Sequence, residues 1–205
     1  MKLLQKNYSK IKKFVRNANA HSQSKGRHGK AFEEFLAEQF NFPKHEQHTA
    51  EVDFPAEIVA QGNVPEELQG NWEVKYYNVK TDVINLGDVE RKLKSFNKGL
   101  ILVIGLYDGD PSNLVDIKFC KIRRNKEILK MRKIWTHASQ YVKDRANSLT
   151  KTREFCKSIN RLHNGIFSLG NISREERWSN TQQKWLNEAR AITLRAKLTE
   201  LPEIA

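Results

Sequence analysis

The stretch Leu100-Ile101-Leu102-Val103-Ile104-Gly105-Leu106-Tyr107 constrains the fold of this 205-residue chain more than any other segment. It is far shorter than the ~20 apolar residues a membrane-spanning helix needs. It also lacks the alternation of a strand with one wet face. Its composition predicts a strand buried on both sides, at the centre of a sheet. Such a strand needs neighbouring strands and covering layers, and the flanking sequence offers both. Asp108-Gly109-Asp110-Pro111 reads as a turn, after which Leu114 to Ile122 returns as another strand. Upstream, the turn signals Gly62-Asn63-Val64-Pro65 and Gln69-Gly70-Asn71 precede a strand over 71–79. Residues 49–60, with Val52, Phe54, Ile58 and Val59, read as an edge or broken strand because Pro55 cannot donate to a ladder.

Helical spacing supplies the covering layers. Leu4, Tyr8, Ile11, Phe14, Val15 and Ala18 mark an amphipathic helix over 3–18 with a lysine-rich outer face. A polar linker, His21 to Gly29, leads to a second helix over about 29–41. Phe32, Phe35, Leu36 and Phe40 face inward there, and Pro43 ends it. Leu86 to Phe96 reads as a helix capped by Asn85 and closed by Asn97-Lys98-Gly99. From residue 123 the pattern is mainly helical and basic. Ser173-Arg174-Glu175-Glu176 has the form of a capping box. It predicts a helix with Trp178, Trp185, Ala189, Ile192 and Ala196 along one stripe, docked on the body. A dimer seam is the alternative, because 178, 185 and 192 are seven apart. The expected fold class is α/β, a central mixed β-sheet flanked by helices, with a helical basic C-terminal region. The length suits one domain: a basic helix and linker over 1–28, an α/β core over 29–122, and a helical region over 123–205.

Charge placement adds to this. The net charge is +12, unevenly spread. Residues 1–30 hold nine Lys/Arg and no acid, and residues 121–161 hold thirteen Lys/Arg against three acids. Between them, residues 31–80 hold ten acids and three basic residues. Basic flanks suit a polyanion, since phosphate neutralisation drives nucleic-acid affinity. A concentrated acidic centre suits a divalent cation. The two cysteines, Cys120 and Cys156, are far apart and read as free thiols. With no signal-peptide stretch near Met1 and no membrane span, the expectation is a cytoplasmic protein that avoids membranes.

Within the acidic block lies Trp72-Glu73-Val74-Lys75-Tyr76-Tyr77. On a strand, Glu73 and Lys75 share one face, and Asp53 lies twenty residues upstream. An acid-x-Lys triplet occurs three times, so context decides among them. Glu90-Arg91-Lys92 sits in the expected helix, where positions two apart diverge. Asp116-Ile117-Lys118 is on a strand, with Asp108 and Asp110 before it, and is a rival. It is followed by a basic helical stretch, whereas Glu73-Val74-Lys75 is followed by a helix and then the buried strand. The bland alternative is an exposed charge pair on a strand. Trp72, Tyr76 and Tyr77 read as packing residues. His45-Glu46-Gln47-His48 lacks a third zinc-like ligand, His163-Asn164 lacks a paired metal histidine, and neither a phosphate-binding Gly-rich loop nor a nucleophile elbow occurs.

The order helix, strand with Asp53, turn, strand with Glu73 and Lys75, helix, buried strand resembles the PD-(D/E)xK nuclease superfamily, most closely its type II restriction endonucleases. Gly29-Lys30-Ala31-Phe32-Glu33 is similar to the Gly-x-x-Phe-Glu start of that superfamily's first core helix. The resemblance covers residues 29–107. Val52 stands where the family name has proline, a departure shared by many members. The resemblance implies a Mg²⁺-dependent endonuclease acting on double-stranded DNA, sequence-specific and homodimeric. Asp53, Glu73 and the Val74 carbonyl would hold the metal, Lys75 would sit by the attacking water and the scissile phosphate, and Glu33 would reach the same site. Elementary chemistry agrees: phosphodiester hydrolysis needs an activated water and relief of charge on the phosphate, and a divalent ion supplies both. Arg123, Arg124, Lys126, Lys151 and Arg153 are the candidate DNA contacts. The alternatives are a structure-specific repair or junction nuclease and a non-catalytic basic nucleic-acid-binding protein.

Overall fold

The computed structural model describes residues 7–21, 27–43, 52–123, 126–145, 149–163, 165–170, 174–179, 184–189 and 192–204. Along the chain, a short 3₁₀ turn, Tyr8–Lys10, leads into α1 (Ile11–His21), followed by α2 (Arg27–Phe40), α3 (Ala56–Val59), β1 (Trp72–Asn78) and β2 (Val83–Asp88). Then come α4 (Val89–Lys98), β3 (Leu100–Tyr107), β4 (Leu114–Ile122), α5 (Lys126–Arg145) and α6 (Leu149–His163). The strands β5 (Phe167–Leu169), β6 (Arg174–Ser179), β7 (Lys184–Ala189) and β8 (Thr193–Lys197) follow. The fold is mixed α/β. No described helix is long and apolar enough to cross a membrane. The chain divides into two compact units, one of residues 1–81, 98–123 and 202–205 and the other of residues 82–97 and 124–201.

The first unit is built on a mixed sheet of order β1-β3-β4. β1 and β3 run parallel with Trp72 opposite Ile101 and Lys75 opposite Ile104. β4 returns antiparallel, with Leu102 opposite Cys120 and Ile104 opposite Lys118. β3 is the central strand, and every residue from Leu100 to Leu106 is buried, as its unbroken apolar run predicts. α1 and α2 supply the apolar layer on one face. Ile11, Phe14, Phe32, Phe35, Leu36 and Phe40 join Trp72, Val74, Ile101, Val103 and Phe119 in one core. Trp72 is fully buried, meets Phe40, Phe42, Phe54 and Phe119 edge-on, and donates its indole N–H to the Leu68 carbonyl at 2.8 Å. The packing reading of Trp72 therefore holds.

Gly105 lets this core close. It sits in the central strand opposite Tyr76, and a Cβ there would stand 2.5 Å from Phe32 Cζ and 2.7 Å from Tyr76 Cδ2. The Phe32 and Tyr76 rings stack at 4.8 Å over that bare backbone. Gly105→Ala is expected to lower stability by about 1–3 kcal/mol through overpacking. A urea melt reads this as a lower midpoint at unchanged slope.

Two expectations in this unit need correction. Residues 49–60 do not form a strand: in their described part only Phe54 bridges, to Trp72, and the chain then turns into α3. Pro55 is the reason, since it brings no N–H and stands at the N-cap of that single turn. The first helix begins later than residue 3 among the described residues, at Ile11 after the 3₁₀ turn. His45 to His48 lie outside the described residues.

The second unit carries an antiparallel sheet of order β2-β8-β5 and a separate β6-β7 ribbon. Among the described residues, Ile84, Leu86, Phe167, Leu169, Leu194 and Ala196 are buried apolar strand residues of this unit, and Val89, Leu93 and Phe96 form a buried apolar stripe of α4. Asn160 of α6 holds β5 at both ends of one residue, accepting from Leu169 N at 2.7 Å and donating to Leu169 O at 2.8 Å. Here the helix expected over Leu86 to Phe96 starts three residues late. Ile84 and Leu86 alternate as strand residues, a bulge between Asn85 and Gly87 (φ 104°) shifts the register before the strand ends at Asp88, and the cap is Asp88, whose Oδ1 accepts from Arg91 N at 2.9 Å. Asn85 instead accepts from Gly87 N. The larger correction is at the C-terminus. Among the described residues from 123 on, α-helix ends at His163, and the elements after it are strands and one 3₁₀ turn, Leu198–Glu200. The stripe Trp178, Trp185, Ala189, Ile192 and Ala196 is not a helix face. Trp178 and Trp185, seven apart, are directly opposite across a hairpin. A seven-residue spacing serves a short hairpin as well as it serves a heptad. Ser173 lies outside the described residues.

Candidate active site

The placement of Asp53 follows from one bridge. Phe54 and Trp72 exchange both backbone hydrogen bonds, at 3.0 and 2.7 Å, along the open edge of β1. This sets the preceding residue level with the next outward-facing N–H of β1, that of Val74. Asp53 Oδ2 accepts it at 2.6 Å, a short, charge-assisted bond. Asn71, which reads in sequence only as a turn residue, fixes the other side of the loop: its Oδ1 accepts from Ala56 N at 2.9 Å. An Asn immediately before a buried Trp gives no sequence signal for that role.

Alternation along β1 sends Trp72 and Val74 into the core under α2 and sends Glu73 and Lys75 to the opposite face. Glu73 is only 2 % exposed, so the pair is not the solvent-facing one that is the usual fate of such residues. Lys75 Nζ reaches Glu73 Oε1 at 2.6 Å. Burial alone would pull the Lys75 ammonium toward losing its proton. The Glu73 and Asp53 carboxylates outweigh it, and its pKa lies above the usual lysine value. Lys75 is thus a fixed cation at neutral pH.

Glu33 belongs to the same electrostatic group. Its helix, α2, packs on β1 through the Phe32–Tyr76 stack. Burial, with Asp53 and then Glu73 as repelling neighbours, pushes its carboxyl up to about 7, against the pull of Lys75 and Lys30. Glu34, one residue on, is exposed. Asp53, Glu73 and Lys75 thus act electrostatically on Glu33, and the Val74 N–H, between Glu73 and Lys75 in the chain, holds Asp53. Tyr76 packs, stacked on Phe32 and donating its hydroxyl to the Pro111 carbonyl.

The rival triplets fare differently. Glu90, Arg91 and Lys92 are in α4, as expected. Asp116 and Lys118 are on β4, but Lys118 pairs with Glu203 at 2.6 Å and Asp116 Oδ1 accepts from Ile117 N. Of the candidate DNA contacts, Arg123 is exposed just past β4 and Lys126 is exposed at the start of α5. Lys151 and Arg153 are in α6, and Arg124 lies outside the described residues. Cys120 and Cys156 are free and buried, and burial pushes their thiols up to about 12 and about 11. Among the described residues, no three His, Cys, Asp or Glu side chains are arranged to hold a metal ion. No protein-family model, curated protein or solved structure matches this chain.

Proposed function

We propose that this chain is a Mg²⁺-dependent endodeoxyribonuclease of the PD-(D/E)xK type, cutting double-stranded DNA at a specific sequence as a homodimer, in the manner of a type II restriction endonuclease. The observation that carries the reading is that Asp53, held on Val74 N, acts on the ion pair of buried Glu73 and half-buried Lys75. The sheet supports it in part: β3 runs parallel to β1 after a helical connection, although the observed order is α2, the Asp53 loop, α3, β1, β2, α4, β3, and β2 and α4 belong to the second unit.

The donor set fits a hard divalent cation. Asp53 and Glu73 offer carboxylate oxygens, the donors Mg²⁺ prefers. Val74 donates its N–H to Asp53, so in the extended strand its carbonyl lies along the same edge. These two side chains and one carbonyl would leave the remaining positions to water, which Mg²⁺ commonly retains. When bound, the ion would lower the pKa of a water and neutralise phosphate charge. The chain's own residues do the rest. Lys75 holds its proton and offers a positive charge where the phosphate develops negative charge. Glu33, with a pKa near neutrality, takes or gives a proton beside Asp53. The lopsided basic blocks over 1–30 and 121–161 supply backbone contacts that grip without reading sequence.

A purified sample should cut long duplex DNA into discrete bands only when Mg²⁺ is present, and Asp53→Asn should lose cutting while still binding DNA. Diffuse digestion or cutting at branched substrates alone would favour the structure-specific alternative. One observation favours a non-catalytic DNA-binding protein: Lys75 closes directly on Glu73, and no set of three metal-ligating side chains forms among the described residues. Binding without any metal-dependent turnover would establish it.

A further inference from the structure

The sheet β2-β8-β5 of the second unit has two unlike faces. Ile84, Phe167, Leu194 and Ala196 are buried on one of them. On the other, the register puts Asn85, Arg195 and Ser168 in one row, with Arg195 on the middle strand directly opposite both. Asn85 is exposed, and Arg195 and Ser168 are half-buried. Val83, two residues before Asn85 and so on the same face, is 42 % exposed.

Arg195 is held in place but not engaged. Its stem lies over the bare backbone of Gly170, where a Cβ would overlap Nε and stand 2.9 Å from Cδ. Nε is sealed from water with no acceptor. Among the described residues no acid and no acceptor meets the guanidinium, and its two terminal nitrogens are not sealed. An arginine head fixed by packing, with its outer N–H groups unspent, is a preorganised fork for a partner with two adjacent acceptors.

The surroundings choose the partner. Lys197, two residues along the same face, is taken by Glu200 at 2.7 Å. Asp88, opposite Thr193, adds a carboxylate to that face. Among the described residues, Arg195 and Lys197 are thus balanced by Glu200 and Asp88, and the face has no excess positive charge to draw a phosphate backbone. It offers one fork among uncharged groups, which suits the edge of a base. Guanine presents N7 and O6 side by side to an arginine in the major groove. Three strands span ~10 Å, and that groove is about 12 Å wide. We infer that this face of the β2-β8-β5 sheet enters the major groove and that Arg195 reads a guanine there, supplying the sequence preference that phosphate contacts cannot. Duplex DNA is the partner here as in the function proposed above, on which this role rests, but no cleavage is required.

The test is selection from a pool of random duplexes by the full chain in chelator, with the enriched site then titrated by fluorescence anisotropy and cleavage assayed separately in Mg²⁺. The native chain should enrich a site containing a fixed guanine. Arg195→Met keeps the stem over Gly170, and Arg195→Lys keeps the charge but not the fork. Both should lose that guanine and bind the native site about ten- to a hundredfold more weakly, while binding to unrelated duplex is unchanged. Asn85→Asp alters an exposed position instead. Its carboxylate keeps the acceptor that Gly87 N uses and, opposite Arg195, would occupy the fork, so the same guanine should be lost. Circular dichroism confirms that each variant is folded. An equal loss for all sequences in Arg195→Met, restored by Arg195→Lys, would show a phosphate contact and overturn the inference. So would a native chain that binds no duplex or enriches no sequence. Folded variants that still select the native guanine would remove the role of Arg195 even if the native chain cuts DNA into discrete bands. A guanine lost from the variants of a chain that never cuts DNA would uphold that role while removing the nuclease.

Discussion

Lys75→Met is expected to bind duplex DNA with near-native affinity and to cut it about 10²–10³-fold more slowly, the loss typical of one preorganised group that stabilises transition-state charge. The ammonium sits against Glu73 and within the influence of Asp53. Glu73 and Asp53 keep it protonated despite its burial, so it serves as a positive charge and not as a base. Lys75→Arg therefore separates charge from shape: it should recover part of the rate if charge alone matters. Removing the cation also acts on stability. Glu73 is nearly inaccessible to water, and deleting one partner of a buried ion pair costs about 3–5 kcal/mol. Lys75→Met/Glu73→Gln, which removes both charges, should melt closer to the native chain than Lys75→Met does. A folded Lys75→Met protein that cuts at the native rate would show that the pair is structural. The assay has to be run alongside a urea melt, because a collapsed variant would mimic a dead enzyme.

The strand that carries Glu73 and Lys75 is legible in the sequence because its signals are local. The apolar run over 100–107 can satisfy itself only as a central strand, and it does. Glu73 and Lys75 two apart on a strand must share a face whatever surrounds them. Asp53 is different. Its role comes from Phe54 pairing with Trp72, a contact eighteen residues apart that no periodicity announces. The strand read through Pro55 was wrong, yet the site survives it, because a single bridge suffices to place one carboxylate. The C-terminal third was illegible for a related reason. A tryptophan every seven residues fits a helix stripe and a hairpin equally well, and only the cross-strand register, Trp178 opposite Trp185, distinguishes them. Lys118 illustrates the converse limit: its partner Glu203 is far along the chain, so the rival triplet could be weakened by context but assigned a role only from contacts.

Glu33→Gln is expected to leave stability unchanged at acid pH and to raise it by about 3 kcal/mol above neutrality, measured in chelator. Folding moves the Glu33 carboxyl from an ordinary value of 4.5 to about 7. Between those values the folded state holds a proton that the unfolded chain releases. Native stability must then fall as pH rises through the window, and the full cost is felt once pH exceeds the folded value. Gln keeps the neutral shape and escapes this cost, so the difference between variant and native chain should open between about pH 4.5 and pH 7 and then level off. The cause can be isolated. Burial is the largest contribution and would persist in any variant, whereas the repulsion from Asp53 would not. Asp53→Asn should therefore move the window to lower pH without abolishing it. A divalent cation near the same carboxylates should act in the same direction, favouring the ionised form and shrinking the advantage of Gln. If urea midpoints of the native chain and Glu33→Gln stay parallel from pH 4 to pH 9, Glu33 is not coupled to Asp53 and Glu73, and it has no place in the site.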